Sequence, residues 1–349
     1  MVKIVQAIAT RFFTFKTKRL PIEFPRPFLL IGSLALPLLI ASPVLAQVGS
    51  TWSDKPVKVF ATSPPGGTID LLARMVAAEC SQTTGKSFVV ENRAGANGNI
   101  AAGAVVQGPP DGHQWFVTLP GVFAINKHLF KNMPFDPEKD ILPVAMLGQS
   151  PLILIINNSV PAQNFPDFLK WVKSSPGKLS YSSAGIGTTG HLGMELLKQM
   201  AGLDVLHVPY KGTAAATTDL ISGQVQMSFD NSTNAMPHLK SGSVRALATG
   251  QKQRIESLPD LPTIHEAGVP NFEIIPWFAL GTRVGVPKDI VDKVHACATA
   301  SITKPENQKR LSNAGIIPKP MTQVAFNNYL QFEVNRWGDI VRKSGASVD

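Results

Sequence analysis

The feature that most constrains this chain is a unit that occurs twice: a short β-branched segment, a glycine-rich loop and an amphipathic segment with helical spacing. In the first unit, residues 57–60 precede the loop and 69–82 follow it. In the second unit, 179–182 precede the loop and 192–200 follow it. Strands that alternate with helices favour parallel sheets covered by helices, so we predict an α/β fold.

The same alternation continues along the chain. Further strands are predicted from short apolar runs at 87–91, 115–119, 205–208, 225–229 and 244–249. Further helices are predicted from apolar residues three and four apart at 100–107, 165–173, 214–222, 288–303 and 323–343.

Two similar units indicate two lobes that face one another. Residues 258–276 are rich in proline and lack a helical period, which predicts a connection between the lobes. If the C-terminal helices pack on the first lobe, the chain has two crossing segments and a ligand cleft lies between the lobes. We therefore assign 47–155 and 272–349 to lobe 1, and 156–271 to lobe 2.

The N-terminal segment has the features of an export signal. A basic stretch is followed by an uncharged apolar run, residues 27–46, that ends in Val-Leu-Ala. We predict a signal peptide over 1–46, cleaved before Gln47, and export to the periplasm. A retained signal-anchor is the alternative, but Pro37 and Pro43 interrupt the apolar run.

The net charge does not indicate a nucleic-acid partner. Of the formal charge of +9, six basic residues and one acidic residue lie within 1–46, so the remainder carries +4. Nucleic-acid binding needs a concentrated basic surface, and a weakly basic chain gives no reason to expect one.

The two cysteines, Cys80 and Cys297, leave two interpretations open. They can pair in an oxidising compartment, or they can be small buried apolar side chains. One pair in a chain of this length is not a disulfide framework. The sequence contains no C-x-x-C motif or Cys/His cluster, so we predict no metal site.

Two glycine-rich loops carry the predicted chemistry: 63–70 (SPPGGTID) and 182–191 (SSAGIGTTGH). Glycine lets the backbone approach a ligand, and the helix that follows presents N–H groups without intrahelical partners. This arrangement suits a carboxylate or a phosphate. For the first loop, the alternative is a plain turn in which Thr68 or Asp70 satisfies the helix end.

Residues 185–190 also match the pattern G-x-G-x-x-G. A dinucleotide site needs an acidic residue at the end of the next strand, whereas Asp204 precedes that strand. We therefore do not predict dinucleotide binding or any other cofactor.

A third loop, 209–216 (PYKGTAAA), also leads into a helix. Lys211 offers a positive charge to an anion, although most loop lysines are simply solvated. Tyr210 is equally compatible with packing. Asp230 and Asn231 end the next predicted strand.

The sequence lacks the usual catalytic arrangements. It contains no G-x-S-x-G elbow, no S-x-x-K with its partner motifs, no P-loop and no H-E-x-x-H. His191 and Glu195 share a helix face but have no third ligand beside them. We predict a binding protein and not an enzyme; a periplasmic hydrolase or isomerase that uses His191 is the alternative from another class.

Seven motifs occur in a specific order, which single motifs would not establish. They are PPGGTxD (64–70), VENRxGAxGNI (90–100), PDG (110–112), INxHL (125–129), SSAGxGTxxHL (182–192), VPYKG (208–212) and LPTIxEAG (261–268). From about residue 55 onward, the chain resembles the Bug family, the substrate-binding proteins of tripartite tricarboxylate transporters.

The resemblance implies a two-lobed fold like that of type II periplasmic binding proteins, which closes on a small organic carboxylate. By motif position, it implies ligand-binding residues in both lobes: Ser63, Gly66, Gly67, Thr68, Asp70, Ser183, Gly185, Thr188, His191, Tyr210, Lys211, Gly212, Thr213, Asp230 and Asn231. No catalytic residue and no metal ligand is implied.

The resemblance also implies partners. We expect a monomer that delivers its carboxylate to the membrane subunits of a tripartite tricarboxylate-type transporter. The alternative is a sensor that presents the carboxylate to a membrane receptor kinase. Thr62 and Ser63 stand where the family commonly has Pro-Phe, which removes an aromatic wall and leaves the ligand's identity open. We also consider Lys211 or Arg283 as a partner for a second carboxylate.

Overall fold

The computed structural model describes residue 21 and residues 52–348. The predicted signal peptide therefore lies outside the described residues, apart from residue 21. The strands in the described part are β1 Val57–Ala61, β2 Phe88–Asn92, β3 Gln114–Thr118, β4 Ile141–Gln149, β5 Leu152–Ile156, β6 Ser180–Ser183, β7 Leu206–Pro209, β8 Met227–Asn231, β9 Arg245–Thr249, β10 Trp277–Arg283 and β11 Ile317–Pro318.

The helices in the described part follow the same order. They are α1 Thr68–Thr84, α2 Asn99–Gln107, α3 Asn126–Leu129, α4 Pro137–Asp140, α5 Phe165–Lys173, α6 Thr189–Ala201, α7 Thr213–Ser222, α8 Ser232–Lys240, α9 Lys288–Thr303, α10 Pro305–Asn313 and α11 Gln323–Ser344. A 3₁₀ turn, Ala96–Gly98, precedes α2, and a π-helical segment, Gly121–Ile125, precedes α3.

The strands form two sheets, which confirms the predicted two-lobed α/β fold. The strand order is β11-β4-β10-β3-β1-β2 in the first sheet and β7-β6-β8-β5-β9 in the second. In each sheet, three neighbouring strands are parallel: β2, β1 and β3 in one, and β7, β6 and β8 in the other. The duplicated sequence unit therefore corresponds to a duplicated sheet topology.

Each sheet also contains an antiparallel strand that arrives from the other lobe. The chain passes from β4 in the first sheet to β5 in the second, and it returns from β9 to β10. The first crossing lies at residues 150–151, a few residues before the boundary expected at 155. The two crossings touch, since the Ser150 N–H donates to the Pro276 carbonyl at 3.0 Å.

A disulfide joins α1 to α9 on the first sheet. Cys80 and Cys297 are both buried and bonded to each other, so the interpretation of unpaired buried cysteines is wrong. Among the described residues, no cysteine is free. The second lobe has no corresponding covalent link within the part of the chain that is described.

The C-terminal helix α11 holds the second crossing through a buried carboxylate. Glu333 is completely buried, and its Oε2 accepts hydrogen bonds at 2.8 Å from the indole N–H groups of Trp277 and Trp337. Arg336 pairs with the other carboxylate oxygen at 2.9 Å and also donates to the Glu273 carbonyl. Because a buried charge is stable only when paired and hydrogen-bonded, this cluster fixes α11 against the start of β10.

The sequence patterns missed several elements. The predicted connection 258–276 is largely irregular, as expected, but α8, α10, β10 and β11 were not predicted. Strand β10 is buried along most of its length, so it shows no alternation of apolar and polar residues. Within the described residues, no helix is long and apolar enough to span a membrane.

Candidate functional site

A cavity of about 550 Å³ lies where the parallel strands of both sheets end. Open α/β sheets commonly bind ligands at this edge, because the loops that leave the strands lead into helix N-termini. Its wall residues come from both lobes: Thr62, Ser63, Pro64, Ile69, Ala94, Gly95, Ala96, Asn97, Gly98, Thr118, Leu119, Gly121, Ile125, Ala184, Gly187, Thr188, Thr189, Lys211, Gly212 and Thr213.

In the first lobe, the loop after β1 is held by the carboxylate of Asp70. Gly66 has a φ of +84°, a conformation that favours glycine, and its N–H donates to Asp70 Oδ2 at 3.0 Å. Arg74 donates to the same oxygen at 3.0 Å, and Asn92 donates to Oδ1 at 2.9 Å. Asp70 itself is buried and does not line the cavity.

These donors keep Asp70 ionised. Burial opposes ionisation, but the hydrogen bonds from Arg74, Gly66 and Asn92 outweigh it and hold the pKa of Asp70 below its ordinary value of 3.8. Its carboxylate therefore organises the loop and is not available to a ligand.

In the second lobe, the loop after β6 is held by a neutral histidine in the equivalent position. Gly187 has a φ of +76°, and its N–H donates to His191 Nδ1 at 3.0 Å. Gly66 and Gly187 each lie two residues before a helix, and each donates to the side chain four residues later. The Gly185 carbonyl accepts from the Thr188 hydroxyl at 2.7 Å, which closes the turn.

His191 belongs to a buried aromatic stack. Its ring lies 4.0 Å from the ring of His207, which in turn lies 4.7 Å from Tyr181. Burial, together with the nearby positive charge of Lys198, lowers the pKa of His191 to about 4 and that of His207 to about 3. Both imidazoles are neutral near pH 7. His191 does not line the cavity, so its role is to support the loop.

The third loop contributes the only charged wall residue found among the described residues. Lys211 lines the cavity, and no described carboxylate lies within ion-pair distance of its ammonium group. Its neighbour Tyr210 turns away, and its hydroxyl donates to Asp219 at 2.6 Å. Gly212 and Thr213 lie on the wall where α7 begins.

A second, smaller pocket of about 110 Å³ adjoins the cavity inside the second lobe. We call it the inner pocket. It shares wall residues with the main cavity and adds polar ones from β6 and β8. Its walls are Leu119, Leu152, Ser183, Ala184, Thr188, Thr189, Gly190, Thr213, Ala216, Ser228, Phe229, Asp230 and Asn231.

The predicted ligand-binding residues thus fall into two groups. The first lines the cavity or the inner pocket: Ser63, Ser183, Thr188, Lys211, Gly212, Thr213, Asp230 and Asn231. The second lies off the walls within the turns and helix starts behind them: Gly66, Gly67, Thr68, Asp70, Gly185, His191 and Tyr210.

The helices that begin at the cavity leave their first N–H groups without side-chain caps. No side chain caps α1, α6 or α7, and two of these helices begin after glycine. Of the helices that begin elsewhere, α5 and α11 are capped by Asn164 and Thr322, whereas α9 and α10 also lack side-chain caps. Uncapped N–H groups and the positive ends of the helix dipoles favour a bound anion.

The loop 94–98 also lines the cavity, although it was not predicted as part of the site. Ala96 and Asn97 have φ angles of 46° and 50°, between glycines that also have positive φ. The Asn97 side chain donates to the Ile186 carbonyl of the other lobe at 3.3 Å. The signal was present, since this loop is glycine-rich and follows a predicted strand. Backbone held in this uncommon region often marks a functional site.

Arg283, in contrast, lies away from the site. Strand β10 runs antiparallel to β3, so its C-terminal end lies beside the start of β3 and not beside its end. There Arg283 donates to the Gly108 carbonyl, and it lines neither cavity. The structure therefore argues against Arg283 as a ligand for a second carboxylate; Lys211 stays a prediction.

The described residues contain no group of three His, Cys, Asp or Glu side chains that could hold a metal ion. Ser183 lies 2.7 Å from His207, but His207 has no carboxylate partner among the residues that the structure describes. The site therefore offers anion-binding groups around a mostly apolar space.

This fold and site define a two-lobed α/β solute-binding protein. The family model described as "Tripartite tricarboxylate transporter family receptor" matches residues 72–346, so the chain belongs to that family. The predicted resemblance to the Bug family is confirmed, because the chain is also similar to the periplasmic binding protein BugD: 31% identity, 84% of this chain and 98% of BugD covered, TM-score 0.75.

Two other solved structures hold named ligands. An R. palustris protein solved with adipate is 34% identical, with 85% of this chain and 99% of that chain covered and a TM-score of 0.79. MatC from Rhodopseudomonas palustris with bound malate is 32% identical, with 82% of this chain and 98% of that chain covered and a TM-score of 0.74.

Proposed function

We propose that this chain is a periplasmic solute-binding protein that captures a small organic carboxylate without changing it chemically. It then delivers the carboxylate, as a monomer, to the membrane subunits of a tripartite tricarboxylate-type transporter. The observation that carries the proposal is the convergence of uncapped helix starts from both lobes on one cavity, together with the cation of Lys211, which pairs with no carboxylate among the described residues.

Closure of the lobes follows from the same geometry. A carboxylate that accepts hydrogen bonds from both lobes has a higher affinity for the closed arrangement than for an open one. It therefore shifts the population toward the closed form by that difference in binding free energy. Asn97 and Ile186 already make a hydrogen bond between the lobes beside the cavity.

The apolar part of the wall suits the carbon skeleton of such a ligand. Ile69, Leu119 and Ile125 line the cavity. The related structures with adipate and malate support a carboxylic acid as the ligand class. Pockets that fix a small ligand typically combine apolar walls with a few polar groups in this way.

A thermal-shift screen of the chain from residue 52 on against small carboxylates and their uncharged amides tests this proposal. A carboxylate at ~100 times its dissociation constant stabilises the folded protein by about 2.7 kcal/mol. We expect stabilisation by a few carboxylates and by none of the matching amides. Equal shifts with acids and amides, or no shift with any acid after unfolding and refolding to remove copurified ligand, would contradict the proposal.

Two matched lysine variants sharpen the screen. Lys211→Ala removes the wall cation, whereas Lys240→Ala removes an exposed lysine at the end of α8. We expect the first to weaken binding of the best carboxylate about tenfold, since a charged hydrogen bond contributes roughly 1.5 kcal/mol or more. The second should leave affinity unchanged. Uptake of the same labelled carboxylate by cells with and without this chain tests the transport role.

A further inference from the structure

The inner pocket differs in chemistry from the cavity that it adjoins. It shares Leu119, Ala184 and three threonines with the main cavity, so the two spaces are continuous in their walls. Its volume of about 110 Å³ matches roughly three water molecules at ~30 Å³ each. A group of the size of a hydroxyl or an ammonium, with the carbon that bears it, fits this space.

Asp230 is a buried carboxylate on this wall. The residue is 7% exposed. Its Oδ1 accepts a hydrogen bond from the Asn231 N–H at 2.8 Å, and its Oδ2 accepts one from the Asn234 side-chain amide. No described Lys, Arg or His forms an ion pair with it, although the charge of His238 acts on it from a distance. Burial raises the pKa of Asp230 to about 6, against the effect of its two hydrogen bonds. A buried carboxylate without a cation is stabilised by further donors.

Three of the five hydroxyl groups on the walls of the inner pocket, those of Ser183, Thr188 and Ser228, already donate elsewhere. Ser228 donates to the Ser182 carbonyl at 3.1 Å, and Thr188 donates to the Gly185 carbonyl at 2.7 Å. Ser183 is bonded to Gly185 and to His207. These oxygens therefore present lone pairs, and not protons, to a ligand.

Asn231 adds an unmet acceptor. It is the residue immediately before α8, a position where Asn commonly caps the helix, yet its side chain does not cap α8. Its Oδ1 is buried and has no hydrogen-bond partner among the described residues. Buried polar atoms without a partner are rare, and one on a pocket wall points to a donor supplied from outside the chain.

The first turn of α6 lies directly against β8, the strand that ends in Asp230 and Asn231. A Cβ atom at Gly190 would overlap the Phe229 carbonyl oxygen, so only glycine permits this contact. The uncapped N–H groups at the start of α6 and the carboxylate of Asp230 therefore lie in one pocket. The start of α6 suits a ligand carboxylate, and the Asp230 side of the pocket suits a hydrogen-bond donor on the neighbouring ligand atom.

We propose that the inner pocket selects carboxylates that carry a hydrogen-bond donor, a hydroxyl or an ammonium group, on the carbon next to the carboxylate. The donor bonds to Asp230 and Asn231 while the carboxylate lies at the start of α6. This inference rests on the proposed function and narrows its ligand class.

Calorimetric titration of the chain from residue 52 on with succinate, L-malate and L-aspartate tests it, because the three differ only in hydrogen, hydroxyl or ammonium on one carbon. Adipate and 2-aminoadipate repeat the comparison on a longer chain. We expect at least one substituted acid to bind about tenfold more tightly than its parent in the wild type. A preference for malate identifies a hydroxyl site, and a preference for aspartate or 2-aminoadipate identifies an ammonium site.

The variant Asp230→Asn should weaken binding of the substituted acids at least fivefold more than binding of their parents. Asp260→Asn, an exposed aspartate of the same lobe, is the control. If succinate and adipate bind the wild type as tightly as the substituted acids do, the inference is overturned and the proposed function still stands. This comparison does not depend on the folding of any variant. Equal weakening of all acids by Asp230→Asn would also overturn it. Binding of no carboxylate would overturn both.

Discussion

The two strand–loop–helix units share one backbone design but use different chemistry to maintain it. In the first, Gly66 donates to an ionised aspartate, Asp70; in the second, Gly187 donates to a neutral histidine, His191. Asp70 brings a negative charge, balanced by Arg74, close behind the first loop. The second loop has no such charge behind it and lies beside Lys211.

The helices that follow differ as well. Helix α1 is bonded covalently to α9, whereas α6 is held only by packing and hydrogen bonds. The first lobe thus has a tethered helix with a charged loop, and the second has an untethered helix with a neutral loop. The difference teaches that one local backbone geometry can be maintained by either an ionised or a neutral side chain.

The largest expected effect comes from removing the disulfide between α1 and α9 in the first lobe. The double variant Cys80→Ala with Cys297→Ala should lose about 4 kcal/mol of unfolding free energy, because a long loop in the unfolded chain is no longer closed. Hydrogen exchange should show faster opening in α1 and α9 than in α6 and α7. Wild-type protein under a reducing agent is the control. Equal loss of protection in both lobes would contradict the comparison.

The second prediction concerns the two loop acceptors. His191→Ala removes a buried ring and leaves the buried Gly187 N–H unpaired, so we expect a loss of about 3 kcal/mol. Asp70→Ala leaves the three donors of Asp70 without their acceptor. Because Arg74 is half exposed and can bind water instead, we expect a smaller loss of unfolding free energy, about 2 kcal/mol. Urea unfolding measures both. A larger loss of unfolding free energy in Asp70→Ala than in His191→Ala would contradict this prediction, because the charged acceptor would then stabilise the fold more than the buried ring.

The third prediction uses two glycines with the same backbone conformation. Gly66→Ala and Gly187→Ala impose similar strain, since both φ angles are positive, at about 1 kcal/mol each. A Cβ at Gly66 meets nothing within 4 Å, whereas one at Gly187 overlaps Leu129 of the other lobe. Gly187→Ala should therefore weaken binding of the best carboxylate in the screen about tenfold, and Gly66→Ala should not. Equal carboxylate affinities of the two variants would show that binding does not require the close contact between Gly187 and Leu129.

The last prediction concerns a pH dependence of opposite sign in two parts of the second lobe. His191 and His207 have folded pKa values of about 4 and 3 against an ordinary 6.5, so the unfolded chain binds protons that the folded chain does not. Their contribution to stability is lost as the pH falls from 6.5 toward 4. Asp230, with its pKa raised to about 6, contributes stability that grows as the pH falls through 6.

Unfolding free energies at pH 7 and pH 4.5 test these signs. His207→Gln should make the loss of stability on acidification smaller, and Asp230→Asn should make it larger. Asp70 in the first lobe has a lowered pKa, so its contribution is present above its ordinary pKa of 3.8 and is lost only at lower pH. A larger loss of unfolding free energy between pH 7 and pH 4.5 in His207→Gln than in the wild type would contradict a lowered pKa of His207 in the folded protein.

Much of the fold could be predicted from the sequence. The predicted helices 165–173 and 288–303 coincide with α5 and α9, because their apolar spacing and proline positions act locally. The buried strand β10 escaped prediction because both of its faces are covered, which removes the alternation on which strand prediction depends. Its partners, β3 and β4, precede it in the chain by well over a hundred residues.

For the candidate site, the sequence by itself indicated three of the loops that line it, because glycine before a helix start is a local requirement of backbone conformation and of uncapped N–H groups. Only the tertiary structure decided what each residue does there. His191 and Asp70 support loops, Asp230 lines an inner pocket, Asn97 reaches the other lobe, and Arg283 lies at the far edge. These roles depend on strand order and lobe contacts between residues far apart in the chain, which no local pattern encodes.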